Sequence, residues 1–595
     1  MNLTDNSSRD GDSLSMAARL LWLVLIIATL YLCYFHNLGA IGLVGPDEPR
    51  YAWIAREMHE SGDWITPRLY GKPWFEKPVL YYWGAALSFK FFGVSEAAAR
   101  FPSALAALLA TLAMAWLAWR VYGPWTARWL LLLLPTTVGM IGFSHAAATD
   151  MPFAGTLTIA MVFAAGILGL VPPAGLSLHA PKLSLYTNTR PRRLVSLLFF
   201  GFFLGLATLA KGPAAIVLSG GGVLLWAAFT RRWRDAFRCL HPLAIASFCL
   251  TALPWYIICS RRNPDFFRVF IIEHNFKRYL TPEFQHIQPF WYYVPVLLIA
   301  FAPWTLALLW STLFGALRAW PQRRPSDATL LALCWVLFCL VFFSISKSKL
   351  PGYILPAVPP IGLLLSRAYA RLVPQEGWTF RLLLLGGAIP MVLVTPVLWS
   401  FYFGRSGPTA KAATGAGWVL LLLGLANLLL AARKRAKQSA FALTSLCVVP
   451  ILALLLFFNH MAPLFLPWDP SGKTLAENLR AANIPPEQTY VAAMRRGQQF
   501  SLSFYLHQEI QTWDQNQPKE GYLLRNSRDC QHFVKPPWVC ATDPVELQTS
   551  GWFVYKVQRS DSVSSRHDGS GLGGSGLGGS GLHWDGLEVR NRQPR

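Results

Sequence analysis

Charge is what this sequence has least of. Only 14% of its 595 residues are Asp, Glu, Lys or Arg, against about 25% in an ordinary soluble domain. Acids are scarcer than bases, 30 against 53, which leaves a formal charge of +23 beside a hydrophobic content of 53%. A soluble globular domain is excluded, and so is intrinsic disorder, because apolar runs of about 20 residues recur along the chain and such runs cross membranes. Cysteine shows no metal-ligand spacing. Cys33, Cys239, Cys249, Cys259, Cys334, Cys339 and Cys447 lie in or beside apolar runs and read as small packing residues. Cys530 and Cys540 stand apart near the C-terminus, where a disulfide fits an oxidising compartment. The bases do not form one continuous stripe of the kind that nucleic acid requires. They fall in short clusters between the apolar runs.

Thirteen spans are expected, near 18–38, 99–119, 129–147, 151–171, 194–210, 213–230, 242–259, 291–313, 328–344, 353–367, 381–400, 416–432 and 440–459. Six connecting loops, 120–128, 182–193, 231–238, 318–324, 367–381 and 433–437, hold 20 Lys and Arg and only two acids, Asp235 and Glu376. All six fall on one side if the spans alternate, and the positive-inside rule makes that side cytoplasmic. The N-terminus is then inside, and the first apolar run is retained rather than cleaved, since no signal-peptidase pattern follows it. The fold class expected is a polytopic α-helical membrane protein of about 13 transmembrane helices with interfacial helices in its first outer loop. A small C-terminal α/β domain completes it. Residues 1–459 form the membrane body, 460–558 the outer domain, with strands near Tyr490–Met494 and Trp552–Val557 and a helix near 497–507. Residues 559–595, with GLGGSGLGGSGL, form a flexible tail.

Acids at membrane depth are costly, so their positions are informative. Seven of them, Asp47, Glu48, Glu57, Glu60, Asp63, Glu76 and Glu96, crowd into the loop 39–98, which is too long for a simple connector. Gly45-Pro46-Asp47-Glu48-Pro49-Arg50 opens a helix to about Glu60 with Gly62 just beyond it. Between Ala97 and Arg234 the one acid is Asp150, in HAAATDMP at an outer span end. Each aspartate has two readings, a helix cap followed by proline or a member of a site. Cations and aromatics gather on the same face against the topological bias: Lys72, Lys77 and Tyr81 in GKPWFEKPVLYYW, Lys211 in AKGP, Arg261 to Arg278 around His274, and Lys347, Lys349 and Tyr353 in SKSKLPGY. Side chains snorkelling to ordinary headgroups would explain any one of them. Together they suit an anionic ligand such as a phosphate lipid.

These segments, GPDEPRYA, FEKPVLYYW, ATDMPF, AKGP, EHNFKRY and SKSKLPGYILP, in this order through 18–558, resemble the bacterial lipid A aminoarabinose transferases. That family belongs to the type C glycosyltransferases, with the protein O-mannosyltransferases. The resemblance implies an inner-membrane enzyme, acting as a monomer, that moves 4-amino-4-deoxy-L-arabinose from undecaprenyl phosphate to a lipid A phosphate at the periplasmic face, with resistance to cationic peptides as the result. It makes Asp47 and Asp150 the essential carboxylates with Arg50 close by. It makes Lys77, Arg278 and Tyr353 ligands of the carrier phosphate, joined by Tyr81, Lys211, Lys347 and Lys349 in substrate binding, and Glu76 with His274 a metal pair, zinc being the candidate. Trp74 departs from the family's tyrosine and removes that hydroxyl. The alternatives are a related polyprenyl-phosphate glycosyltransferase with another sugar or a Ser/Thr acceptor, and a lipid transporter. A transporter favours ionisable groups near mid-membrane and repeated halves, whereas here the acids lie at one face and no repeat is visible.

Overall fold

The structure, a computed structural model, describes residues 15–172, 190–277, 287–319, 325–372 and 408–432, scattered positions between 389 and 456, and most of 471–559. It divides into two compact units, one of Met1–Ala40 with Tyr51–Phe465 and one of Ile41–Arg50 with Leu466–Arg595.

The first unit is helical. Among the described residues six helices are long and apolar enough to cross a membrane, or up to eight if each of two bent pairs is one span. The expected spans 213–230, 353–367 and 416–432 correspond to Ala214–Thr230, Val358–Leu372 and Pro408–Ala432. Those at 381–400 and 440–459 fall largely outside the described residues. Two expectations are corrected. The run 129–147 is not one helix but Pro124–Leu133 and Val138–Ser144, bent by 62°, and 291–313 likewise breaks by 117° between Tyr293–Ala300 and Thr305–Thr312. Each break contains a proline, Pro135 or Pro303, which removes a helical N–H and obstructs the preceding turn. The loop expected at 120–128 shrinks to Gly123, whose φ of +95° ends one helix, while Pro124 starts the next.

The helix Asp150–Ile167 is central. In it 78% of the span window is buried, against 22% in the peripheral helix Met16–Tyr34. An all-apolar helix belongs in such a position. It packs on Glu96–Tyr122 at Gly155, where a Cβ would stand 2.8 Å from the carbonyl of Ala106, and small residues permit that approach between membrane helices. It runs antiparallel to Arg190–Lys211: Gly166 lies against Ser196 at one end, and Asp150 meets Lys211 at the other. The surface helices turn Leu20, Leu23, Val24 and Ile27 outward, as lipid-facing residues do.

The second unit is built on a six-stranded sheet in the order β4-β3-β5-β8-β6 with β7 also on β8. Its strands are β3 (Thr489–Val491), β4 (Gln511–Thr512), β5 (Glu520–Arg525), β6 (Trp538–Cys540), β7 (Val545–Leu547) and β8 (Trp552–Arg559). The only strands outside it among the described residues, β1 (Arg68–Leu69) and β2 (Lys72–Pro73), form a short hairpin in the first unit. Strands β4, β3 and β5 run parallel, with the helix Arg496–Leu506 crossing from β3 to β4. Leu502, Leu506, Val491, Leu524 and Val554 form one core of the unit. Cys530 and Cys540 are disulfide-bonded, with Cα atoms 6.5 Å apart.

Candidate active site

Asp150 is the first residue of its helix and Lys211 the last of the antiparallel neighbour. A carboxylate at a helix N-terminus and an ammonium at a C-terminus are each favoured by the aligned peptide dipoles. Antiparallel packing places these two ends together, and Lys211 Nζ donates to Asp150 Oδ1 at 2.5 Å. This explains why Asp150 has no cationic partner nearby in sequence: the partner arrives from 61 residues away. Asp150 is not the cap of its helix. Thr149 holds that position.

Aromatic rings close around the ammonium. Lys211 Nζ lies 4.8 Å from the centre of the Tyr353 ring and 5.5 Å from that of Phe153, an arrangement that holds a cation by its attraction to π-faces. Tyr353 sits in a 3-10 turn, Pro351–Ala357, and Gly352 beside it leaves room for the aspartate. A Cβ at Gly352 would stand 2.8 Å from Asp150 Cγ and 2.9 Å from the Phe143 ring. The preceding loop is pinned by Lys349, whose ammonium donates to the carbonyls of Ser346 at 2.6 Å and Gln288 at 3.1 Å. Burial, with the charge of Lys347 added, holds the Lys349 ammonium below the usual lysine range. Lys347 itself is exposed.

Glu76 and Lys77 follow the hairpin of β1 and β2, and their side chains are largely buried. Adjacent residues on an extended segment are expected to face opposite ways; instead Lys77 Nζ lies 3.7 Å from Glu76 Oε1. Phe75 packs edge-on against Phe266 at 5.2 Å, just before the π-helix Arg268–Lys277 that carries the half-buried His274. Arg278 lies outside the described residues. Tyr81 is fully buried, and its hydroxyl donates to the carbonyl of Ala99 at 2.9 Å, a bond that fastens one helix of the loop to Glu96–Tyr122. Among the described residues no three His, Cys, Asp or Glu side chains converge.

Asp47 and Arg50 belong to the second unit. Asp47 Oδ1 accepts from Arg50 Nη2 at 2.5 Å, with the arginine buried and the carboxylate half-exposed. The guanidinium lies 5.9 Å from the Phe500 ring, which Arg496 covers at 5.1 Å. The aspartate's segment is fastened to the helix Arg496–Leu506: Ser501 Oγ donates to the Leu43 carbonyl at 2.8 Å, the Leu43 N–H to the Tyr505 hydroxyl at 2.9 Å, and Gly497 touches Gly45. Phe500, Gly352 and Phe153 were not legible as site residues. Gly352 and Phe153 had a signal, their places in SKSKLPGY and ATDMPF.

The chain is similar to several known proteins. The dolichyl-phosphate-mannose-protein mannosyltransferase family matches residues 19–270. An undecaprenyl phosphate-alpha-4-amino-4-deoxy-L-arabinose arabinosyl transferase of Edwardsiella ictaluri is 33% identical over 404 residues, 66% of this chain and 68% of that protein. A protein of the same name from an Enterobacter species is 34% identical over 62% of this chain and 63% of its own length. The crystal structure of ArnT from Cupriavidus metallidurans bound to undecaprenyl phosphate matches with a TM-score of 0.71 at 25% identity, covering 90% of this chain and 98% of that one.

Proposed function

The chain belongs to the undecaprenyl phosphate aminoarabinose transferases, and from that membership we propose that it is a membrane glycosyltransferase moving 4-amino-4-deoxy-L-arabinose from undecaprenyl phosphate to a phosphate of lipid A. The observation that carries the reading is the Asp150–Lys211 pair beneath Tyr353, a charged, aromatic-walled end of the helical body. In the transfer an acceptor phosphate oxygen forms a bond to sugar C1, the bond from C1 to the carrier oxygen breaks, and its electron pair leaves with undecaprenyl phosphate. The anomeric centre inverts. Negative charge grows on the leaving phosphate and positive charge on the ring, so fixed cations must meet the first and a carboxylate the second. Lys77, Arg278 and Tyr353 serve the leaving group, and Lys211 joins them in substrate binding. Asp150 faces the sugar, and its protonation is not required, because a phosphate acceptor is already ionised near neutral pH. Asp47, held by Arg50 in the second unit, is the other essential carboxylate of this reading. Lys347 and Lys349 lie along the phosphate path. A metal at Glu76 and His274 would add Lewis-acid polarisation of a phosphate; no step above needs it.

We further propose thirteen spans, with the arginine-rich loops in the cytoplasm and the active site and C-terminal domain in the periplasm. Reporter fusions at residues 434 and 500 test this, with a cytoplasmic and a periplasmic signal expected respectively. The reaction is tested by mass spectrometry of lipid A from cells with and without the protein. An aminoarabinose increment that depends on it is expected, and its absence would discard the reading.

A further inference from the structure

The arginines at the opposite end of the helical body are of two kinds. Arg232 and Arg238 take both carboxylates described there: Arg232 bonds Asp235 at 2.7 Å and Asp327 at 2.6 Å, and Arg238 bonds Asp235. Among the described residues Arg120, Arg128 and Arg367 take none. Arg120 donates to the carbonyl of Pro172, but its Nε is buried without an acceptor. Arg128 lies over the rings of Trp125 at 4.8 Å and Trp22 at 5.9 Å, and its Nη1 is buried without an acceptor. Arg367 lies over Tyr122 at 4.5 Å with its Nε in the same condition.

These three belong to the helices that pack at the elbow at Gly123. Arg120 and Tyr122 close one helix, Trp125 and Arg128 lie in the first turns of the next, and Val358–Leu372 packs on both, Trp129 meeting Tyr369 at 5.8 Å. Arg19 and Arg371 add positive charge close enough to act on Arg128 and Arg367. The topological bias accounts for arginines on this face. It does not account for buried guanidinium nitrogens left without acceptors among like charges, which is costly unless an anion completes them.

We infer that the Gly123 elbow is a binding site for the phosphodiester of an anionic phospholipid, which supplies the acceptor oxygens that Arg120, Arg128 and Arg367 lack. Planar guanidinium groups suit phosphate oxygens. A lipid is favoured over free phosphate because Trp22 and Trp125, 6.0 Å apart, mark the headgroup depth. From there the outward-facing Leu20, Val24 and Ile27 of Met16–Tyr34 offer a path for an acyl chain. The site is separate from the catalytic end. Gly352 touches Asp150, and Arg367 lies fifteen residues further along the same run, roughly 20 Å at helical rise.

The test is native mass spectrometry of the full chain in detergent with added phosphatidylglycerol or phosphatidylcholine. The unaltered protein retains phosphatidylglycerol preferentially. Arg128→Gln combined with Arg367→Gln weakens that retention by about fivefold per arginine removed. Arg238→Gln, which removes an arginine already paired with Asp235, leaves it unchanged. Arg128→Lys with Arg367→Lys keeps charge and fold and retains an intermediate amount, so misfolding of the glutamine pair would leave the question decidable. Displacement of the lipid by millimolar inorganic phosphate assigns the recognition to the phosphate group alone, and resistance to it assigns the lipid. Equal retention of the two lipids by the unaltered protein, or unchanged retention in both double variants, overturns the site.

Discussion

Gly352 packs directly on the carboxylate of Asp150, so closely that a Cβ at position 352 would stand 2.8 Å from Asp150 Cγ. The aspartate also accepts from Lys211. It is therefore held from two sides, and its position depends on a residue that has no side chain to show for it.

Gly352→Ala should displace the carboxylate while leaving Tyr353 in its turn. A misplacement of about 1 Å at a reacting centre costs about a hundredfold in rate. In vitro transfer to lipid A should fall by that order, with thermal stability in detergent nearly unchanged. Full activity would mean that the contact does not fix the aspartate.

Asp150→Asn and Lys211→Met should each lower kcat/KM by about two to three orders of magnitude, the size expected for one preorganised charge in a transition state. The residues act as a pair, so the double variant should lose little more than the worse single one, within about threefold. Fully multiplicative losses would separate their roles.

Lys349 supplies a pH dependence. Burial and the neighbouring charge of Lys347 hold its folded pKa below the usual lysine value, so between the two values the unfolded chain binds more protons and stability rises with pH. Thermal unfolding followed from about pH 8 to about pH 10.5 should show the unaltered protein gaining stability relative to Lys349→Met. A difference that is flat across that range would contradict the sign.

Glu76 has Lys77 3.7 Å away, and if it acts through that lysine rather than through a metal, chelation and dialysis should leave transfer unchanged. Glu76→Gln should then act through Lys77, raising KM for the lipid-phosphate donor more than it lowers kcat. Activity lost on chelation and restored by zinc would instead make the metal catalytic.

The sequence by itself determined the membrane class, the helix starting at Asp47, the strand near Trp552, and the candidate carboxylates, because each is written in local composition. Scarce charge and long apolar runs force helices into lipid, and a single acid between Ala97 and Arg234 is conspicuous against that background. Tertiary structure decided what those residues do. Lys211 reaches Asp150 only because two helices pack antiparallel, and Gly352 matters only because that packing brings a distant turn onto the aspartate. Lys77 meets Glu76 through the local bend of the chain rather than facing away from it. Tyr81, expected in substrate binding, also reaches across to the carbonyl of Ala99. Sequence spacing reports neighbours along one element, whereas ion pairs, ring contacts and the absence of a Cβ act between elements, and their partners are chosen by packing.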